Sequence, residues 1–211
     1  MLRLPRVYPI LDTESLDLLG IPLAVAAAAF LEGGAGILQI RHKAHWSRDL
    51  FASSREVARL CGERGASLII NDRADFAALL GAGLHVGQDD LSPRDGRKLL
   101  GSEAIIGLSS HSAAQLAAAA GEPVDYVALG PIFATGSKRQ PDAVVGLEEI
   151  RRCRGLTEKP LVAIGGITLE NARDVWTAGA DSVAVIAGLL PAAASARALR
   201  ERMEEWERMA K

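Results

Sequence analysis

The feature that most constrains this chain is an alternation repeated about eight times along its 211 residues. A short aliphatic run is followed by polar or glycine-rich residues and then by an Ala/Leu-rich helical stretch. The pattern predicts strands at Val7–Leu11, Ile37–Ile40, Ser67–Ile70, Leu84–Val86, Ala104–Leu108, Tyr126–Leu129, Leu161–Ile164 and Ser182–Ile186. Between them it predicts helices such as Arg48–Glu63, Ala113–Ala120, Leu147–Arg154 and Asn171–Ala178, the last started by Thr168 or Glu170. Eight units leave roughly 26 residues each, room for one strand, one helix and two short loops. Glycines recur just before several strands, at Gly34–Gly36, Gly65, Gly81–Gly83 and Gly179. Such a residue turns the chain from a helix end back into a sheet. No linker or low-complexity tract divides the sequence, so 1–211 is read as one domain. Eight βα units, with no Gly-x-Gly-x-x-Gly after the first strand, favour a (β/α)8 TIM barrel over an open doubly wound sheet.

Composition narrows the function classes. Lys and Arg number 24 against 26 Asp and Glu, a formal charge of −2, and aromatic residues make up 4%. No basic field or stacking surface therefore points to nucleic acid or to an anionic membrane, and an anionic ligand needs a local cluster of cations. Cys61 and Cys153 lie in helical segments without metal-type spacing and read as buried reduced thiols. The start carries no signal-peptide pattern. The run Ile21–Leu31 falls below the ~18 residues that span a bilayer. A soluble, cytoplasmic protein is expected.

Barrel enzymes keep their chemistry at the C-terminal ends of the strands, and here those positions are polar. Strand two runs into Gln39-Ile40-Arg41-His42-Lys43. Strand alternation puts Gln39, Arg41 and Lys43 on one side and His42 on the other. Two inward cations are costly without an anion or carboxylates beside them. Strand three ends in Asn71-Asp72-Arg73 and strand four in Gly87-Gln88-Asp89-Asp90. Asp72 with Asp89 or Asp90 could hold a divalent ion that bridges to a phosphate, or these residues could cap the following helices. After strand six, Thr135, Ser137 and Lys138 lie in a glycine-containing loop suited to a phosphate, and the stretch onward to Val144 is expected to close over substrate. Gly165-Gly166 after strand seven and Val185–Gly188 at strand eight suit the phosphate cup of this barrel. His85 and His111 are either proton carriers or hydrogen-bonded structural residues.

Taken in order, Gln39-x-Arg41-x-Lys43, Asn71-Asp72-Arg73, His85-Val86-Gly87-Gln88-Asp89-Asp90, Gly107-Leu108-Ser109-Ser110-His111, Gly130-Pro131-Ile132-Phe133, Thr135-x-Ser137-Lys138 and Ile164-Gly165-Gly166-Ile167 closely resemble thiamine-phosphate synthases. The resemblance runs from about Val7 to Leu189. It implies an enzyme that joins 4-amino-2-methyl-5-hydroxymethylpyrimidine diphosphate to a thiazole phosphate, using Mg²⁺. It implies that Gln39, Arg41, Lys43, Asn71 and Lys138 hold the pyrimidine diphosphate and that Asp72 and Asp90 bind Mg²⁺. Ser109 would lie beside the reacting pyrimidine, so that Ser109, Lys138, Arg41 and Lys43 form the catalytic set. Thr135, Ser137, Gly166, Val185 and Ile186 would hold the thiazole phosphate.

The chain departs from the family pattern at His42, where an acidic residue is usual, at Ala134, where proline is common, and at Ala187, where serine is common. The nearest alternative is the sister family of thiazole tautomerases, which resemble proteins with a histidine after the glycine following strand six. Pro131 and Asp90 here are of the synthase kind. A non-catalytic homologue that binds thiazole phosphate or thiamine phosphate is the alternative from another class. In the C-terminal helix, roughly Ala192–Met209, Leu199, Met203 and Trp206 form a stripe expected to pack on the barrel, with a homodimer contact as the other reading.

Overall fold

The computed structural model describes residues 2–136 and 143–211. Eight parallel strands close into a barrel in sequence order: β1 (Val7–Asp12), β2 (Ile37–Arg41), β3 (Ser67–Asn71), β4 (Gly83–Val86), β5 (Ile106–Ser110), β6 (Tyr126–Leu129), β7 (Leu161–Ile164) and β8 (Ser182–Val185). Closure is made by β8 pairing with β1, Tyr8 opposite Ala184. The expected (β/α)8 barrel is therefore the fold.

The helices are α1 (Thr13–Leu18), α2 (Leu23–Glu32), α3 (Arg48–Arg64), α4 (Ala74–Leu80), α5 (Pro93–Leu100), α6 (Ala113–Ala120), α7 (Gly146–Arg154), α8 (Ala172–Thr177) and α9 (Ala196–Ala210), with a single 3₁₀ turn at Ala187–Leu189 after β8. Gly65 and Gly81 end α3 and α4 in the left-handed conformation, φ 66° and 62°, which a side chain would disfavour. Ser92 caps α5, its Oγ accepting from the Asp95 N–H at 3.2 Å, so neither Asp89 nor Asp90 is the cap. At α4 the cap position is Arg73, without a side-chain cap bond, which leaves Asp72 free of that duty. The start of α8 also differs from expectation. Asn171 occupies the cap position and accepts the Thr168 N–H at 2.8 Å, so neither Thr168 nor Glu170 caps that helix.

The fifth strand lies two residues later than the aliphatic run suggested. Leu84 pairs with Ile106 and Ser110 with Leu129, so Ser109 and Ser110 are strand residues rather than loop residues. Barrel closure sets this register, and hydrophobicity alone does not reveal it. Two buried layers result. Strand side chains pointing outward meet the helices. An inner set including Tyr8, Ile10, Ile37, Ile69, Tyr126, Ala128, Val162 and Ala184 fills the barrel. Leu2 and Leu4, just before β1, pack against that inner set.

Leu199, Met203 and Trp206 of α9 are fully buried. Met203 lies close against Gly33 at the end of α2, and Trp206 Nε1 donates to the Gly188 carbonyl at 3.1 Å. The apolar stripe of α9 is thus used within the chain, and it braces the turn after β8. Cys61 and Cys153 are buried free thiols, each pushed up to about 11 by burial. Among the described residues, no helix is long and apolar enough to cross a membrane.

Candidate active site

A cavity of about 220 Å³ opens at the C-terminal ends of the strands. Gln39, Arg41, Lys43, Asn71, Asp72, Asp90, Ser109, Thr135, Gly166, Val185 and Ile186 all line it. Ser137 and Lys138, and most of the stretch expected to close over substrate, lie outside the described residues. Arg73 faces elsewhere, pairing with Asp75 at 2.5 Å and lying over the Phe76 ring. Asp90, not Asp89, is the lining carboxylate of its pair, and its Oδ2 accepts the Gly87 N–H at 2.7 Å.

Each inward cation has a carboxylate. Asp12 and Arg41 sit opposite each other in the β1–β2 register and form an ion pair in which Asp12 is 4% exposed. The same Asp12 carboxylate caps α1, accepting from the Ser15 N–H at 3.1 Å and the Ser15 hydroxyl at 2.6 Å. Lys43 Nζ reaches Asp72 Oδ2 at 2.5 Å in a more open position. A buried carboxylate with three donors tolerates its burial, and Arg41 in turn is held rigidly at the cavity wall.

Asp72 has a backbone φ of 65°, rare outside glycine and tolerated best by Asn and Asp. Its carboxyl is held above the ordinary carboxylate range, first by burial and further by the neighbouring Asp90 carboxylate, against the opposing pull of Lys43. Asp72 and Asp90 thus share one rim of the cavity, with the Lys43 ammonium paired to Asp72. Such an arrangement has unfulfilled capacity for positive charge.

On the floor, side chains from five strands form a buried polar chain. Gln39 Nε2 donates to Tyr8 Oη at 3.0 Å, and Tyr8 Oη lies 3.1 Å from Tyr126 Oη. Tyr126 Oη is 2.9 Å from His85 Nδ1, and His85 Nε2 is 2.8 Å from Ser109 Oγ. The Tyr126 ring stacks on His85 and lies directly over Gly107, where an added Cβ would come within 2.0 Å of it. The far wall is backbone. Ile132 and Phe133 N–H groups bond to the carbonyls of Ile164 and Gly165, so the segment after β6 extends the sheet alongside β7. Gly166, at φ 63°, packs so close that a Cβ would meet the Ala134 carbonyl at 2.5 Å. Ala187 and Gly188, the first residues of the 3₁₀ turn, line the same cavity.

A family model described as thiamine monophosphate synthase matches residues 7–189, which span this barrel and its site. The chain belongs to that family. Among curated relatives, the thiamine-phosphate synthase of Koribacter versatilis is 49% identical over 90% of each chain. That of Laribacter hongkongensis is 42% identical over 92% of each chain. Among solved structures, a thiamine phosphate pyrophosphorylase from Pyrococcus furiosus superposes with a TM-score of 0.83 at 29% identity, covering 98% of this chain and 95% of that one. Membership makes the chain a transferase-type enzyme acting on small molecules.

Against the thiamine monophosphate synthase pattern, the departures fall away from the cation set. His42 is turned from the cavity, its Nδ1 2.7 Å from Thr13 Oγ1 and its Nε2 3.1 Å from the His45 carbonyl. Ala187 lines the cavity and brings no hydroxyl to it. Sequence reasoning missed Asp12, Tyr8 and Tyr126. Asp12 carried a legible signal as the polar residue that ends the first strand three positions before Ser15. The tyrosines carried a fainter one, since a glycine inside a strand, here Gly107, marks the close approach of another group.

Proposed function

We propose that this chain is a thiamine-phosphate synthase that joins 4-amino-2-methyl-5-hydroxymethylpyrimidine diphosphate to thiazole phosphate, releasing thiamine phosphate and diphosphate. The observation that carries the reading is a single cavity lined by two kinds of anion-binding group: Arg41 and Lys43, with Gln39 and Asn71, at the ends of β2 and β3, and the glycine-rich backbone at Gly166 and Ala187–Gly188 after β7 and β8. Two differently phosphorylated substrates would face each other there.

In this reading the bond from the pyrimidine methylene carbon to the diphosphate oxygen breaks, and the diphosphate leaves with the electron pair. The thiazole nitrogen then supplies the pair that forms the new carbon–nitrogen bond. No strong base is required. Arg41, fixed by Asp12, and Lys43 stabilise charge growing on the leaving group, with Lys138 as a third cation. The buried Asn71 amide nitrogen, which has no hydrogen-bond partner among the described residues, supplies a ready donor to the same ligand. Ser109 and Gln39 orient the pyrimidine from the floor. Thr135, Ser137, Gly166 and the backbone at Val185–Ile186 hold the thiazole phosphate, so that the nucleophile is oriented rather than activated.

Asp72 and Asp90 fit Mg²⁺. The raised carboxyl of Asp72 beside Asp90 is a site that gains from a divalent cation, and two carboxylates are the usual protein share of a magnesium shell completed by water and phosphate. When bound, the ion would neutralise diphosphate charge. We also read 1–211 as one catalytic domain working in the cytoplasm. A homodimer draws no support from the α9 stripe, which is already buried.

Incubating the protein with both substrates and Mg²⁺ tests the assignment. Thiamine phosphate appearing with an equimolar amount of diphosphate supports it. Isomerisation of the thiazole alone would make the chain a tautomerase, and binding without turnover would make it a phosphate-binding homologue.

A further inference from the structure

We propose that Tyr8, Tyr126 and His85 are positioning residues. They form a one-way hydrogen-bond relay through which the amide of Gln39 directs the hydroxyl proton of Ser109 into the cavity. The number of protons in the relay fixes its direction. Tyr8 and Tyr126 are 1% and 0% exposed, Gln39 3% and His85 8%. Each phenol carries one proton, and burial holds both phenols far above their ordinary range, so neither ionises under working conditions.

Tyr8 Oη already accepts from Gln39 Nε2, and among the described residues its own proton finds one acceptor, Tyr126 Oη. Tyr126 Oη, having accepted that proton, directs its own to His85 Nδ1. A neutral imidazole that accepts at Nδ1 carries its proton on Nε2, and that proton points at Ser109 Oγ. Ser109 accepts it, so its own proton is left for the cavity that Ser109 lines. The opposite polarity would send the Ser109 proton to His85 and the Tyr126 proton to Tyr8. With the Gln39 amide turned as it is, Nε2 toward Tyr8, this would leave the Tyr8 proton inside the barrel without an acceptor, a costly state for a buried hydroxyl.

The relay gives the floor a fixed sense. Ser109 offers a donor and Gln39 keeps Oε1 as an acceptor, a pair that matches a ring nitrogen and an adjacent amino group on an aminopyrimidine. This consequence rests on the function proposed above. The polarity itself does not. The relay joins distant parts of the chain: Tyr8 and Tyr126 are 118 positions apart.

Nitrogen-15 NMR of the ligand-free full chain reads the outcome directly, with the His85 signals assigned by their loss in His85→Asn. In the unsubstituted protein, His85 should carry its proton on Nε2 with Nδ1 bare. At pH 8, Gln39→Glu replaces the first donor with an acceptor and should reverse every bond, moving the His85 proton to Nδ1. A proton on Nδ1 in the unsubstituted protein, or an unchanged tautomer in Gln39→Glu, would overturn the relay. Should Gln39→Glu not fold, Tyr126→Phe cuts the chain in the middle and should give a mixture of His85 tautomers, whereas a single Nε2–H form would overturn it. In steady-state assays, Tyr126→Phe should lower kcat about tenfold and leave KM for thiazole phosphate within about twofold, because only the orientation of Ser109 is lost. An inactive unsubstituted enzyme would refute the proposed reaction and leave the tautomer result standing.

Discussion

Gly107→Ala tests how tightly the floor of the site is built. An added Cβ at Gly107 would stand 2.0 Å from Tyr126 Cζ and 2.4 and 2.5 Å from the two ring carbons beside it. Carbon atoms rest ~3.5–4.0 Å apart, so the ring must retreat by about 1.5 Å. That retreat would stretch the phenol contacts of 2.9 Å to His85 and 3.1 Å to Tyr8 beyond hydrogen-bonding range. Overpacking costs about 1–3 kcal/mol and each lost phenol bond about 1 kcal/mol, so the substitution should destabilise the fold by about 3–5 kcal/mol. Against a domain stability of roughly 5–15 kcal/mol, that loss is large and measurable. Urea denaturation should show a lower midpoint at an unchanged slope, and kcat should fall about tenfold as Ser109 loses its orientation. In Gly107→Ala/Tyr126→Leu the smaller side chain should restore much of the stability and none of the activity. A Gly107→Ala protein within about 1 kcal/mol of the parent and fully active would refute the packing argument and the role given to Tyr126 together.

Three further outcomes follow from the site. Lys43→Ala and Asp90→Ala should each cut turnover at least about tenfold, and since Lys43 is half exposed its removal should change stability by less than about 1 kcal/mol. Near-normal rates in either variant would remove that residue from the diphosphate site. For Asp72, whose carboxyl is raised, the stability it contributes is present below the ordinary carboxylate pKa of about 3.9 and lost as pH rises through its folded value. Asp72→Asn, which also suits the left-handed backbone there, should match or exceed the parent melting midpoint at pH 7 without metal, with the gap closing on acidification. Mg²⁺ should raise the midpoint of the parent and not that of Asp72→Asn; a metal effect retained in the variant would place the ion elsewhere. Gly166→Ala, strained at φ 63° and pushed against the Ala134 carbonyl, should raise KM for thiazole phosphate about tenfold, more than it lowers kcat. A change confined to kcat would detach Gly166 from the phosphate.

The local periods of the sequence settled the fold class. Alternation of aliphatic runs with helical stretches is read within each unit of roughly 26 residues, and strand alternation placed Gln39, Arg41 and Lys43 on one face and His42 on the other. Asp72 with one of Asp89 and Asp90 was legible as a pair near the cations, because they follow the ends of adjacent strands, and the cavity lining selects Asp90. Other properties depend on register and closure, which no local window contains. The fifth strand took Ser109 into the sheet because Leu84 pairs with Ile106. Asp12 became the partner of Arg41 because β1 and β2 align them. Tyr8 and Tyr126 met across the barrel only because eight strands close a ring and Gly107 leaves room for an aromatic side chain. Local patterning was enough to count the units and to show that polar residues gather near the strand ends. The tertiary structure alone decided which of those residues touch, since contacts inside a closed barrel join positions more than a hundred residues apart in the chain.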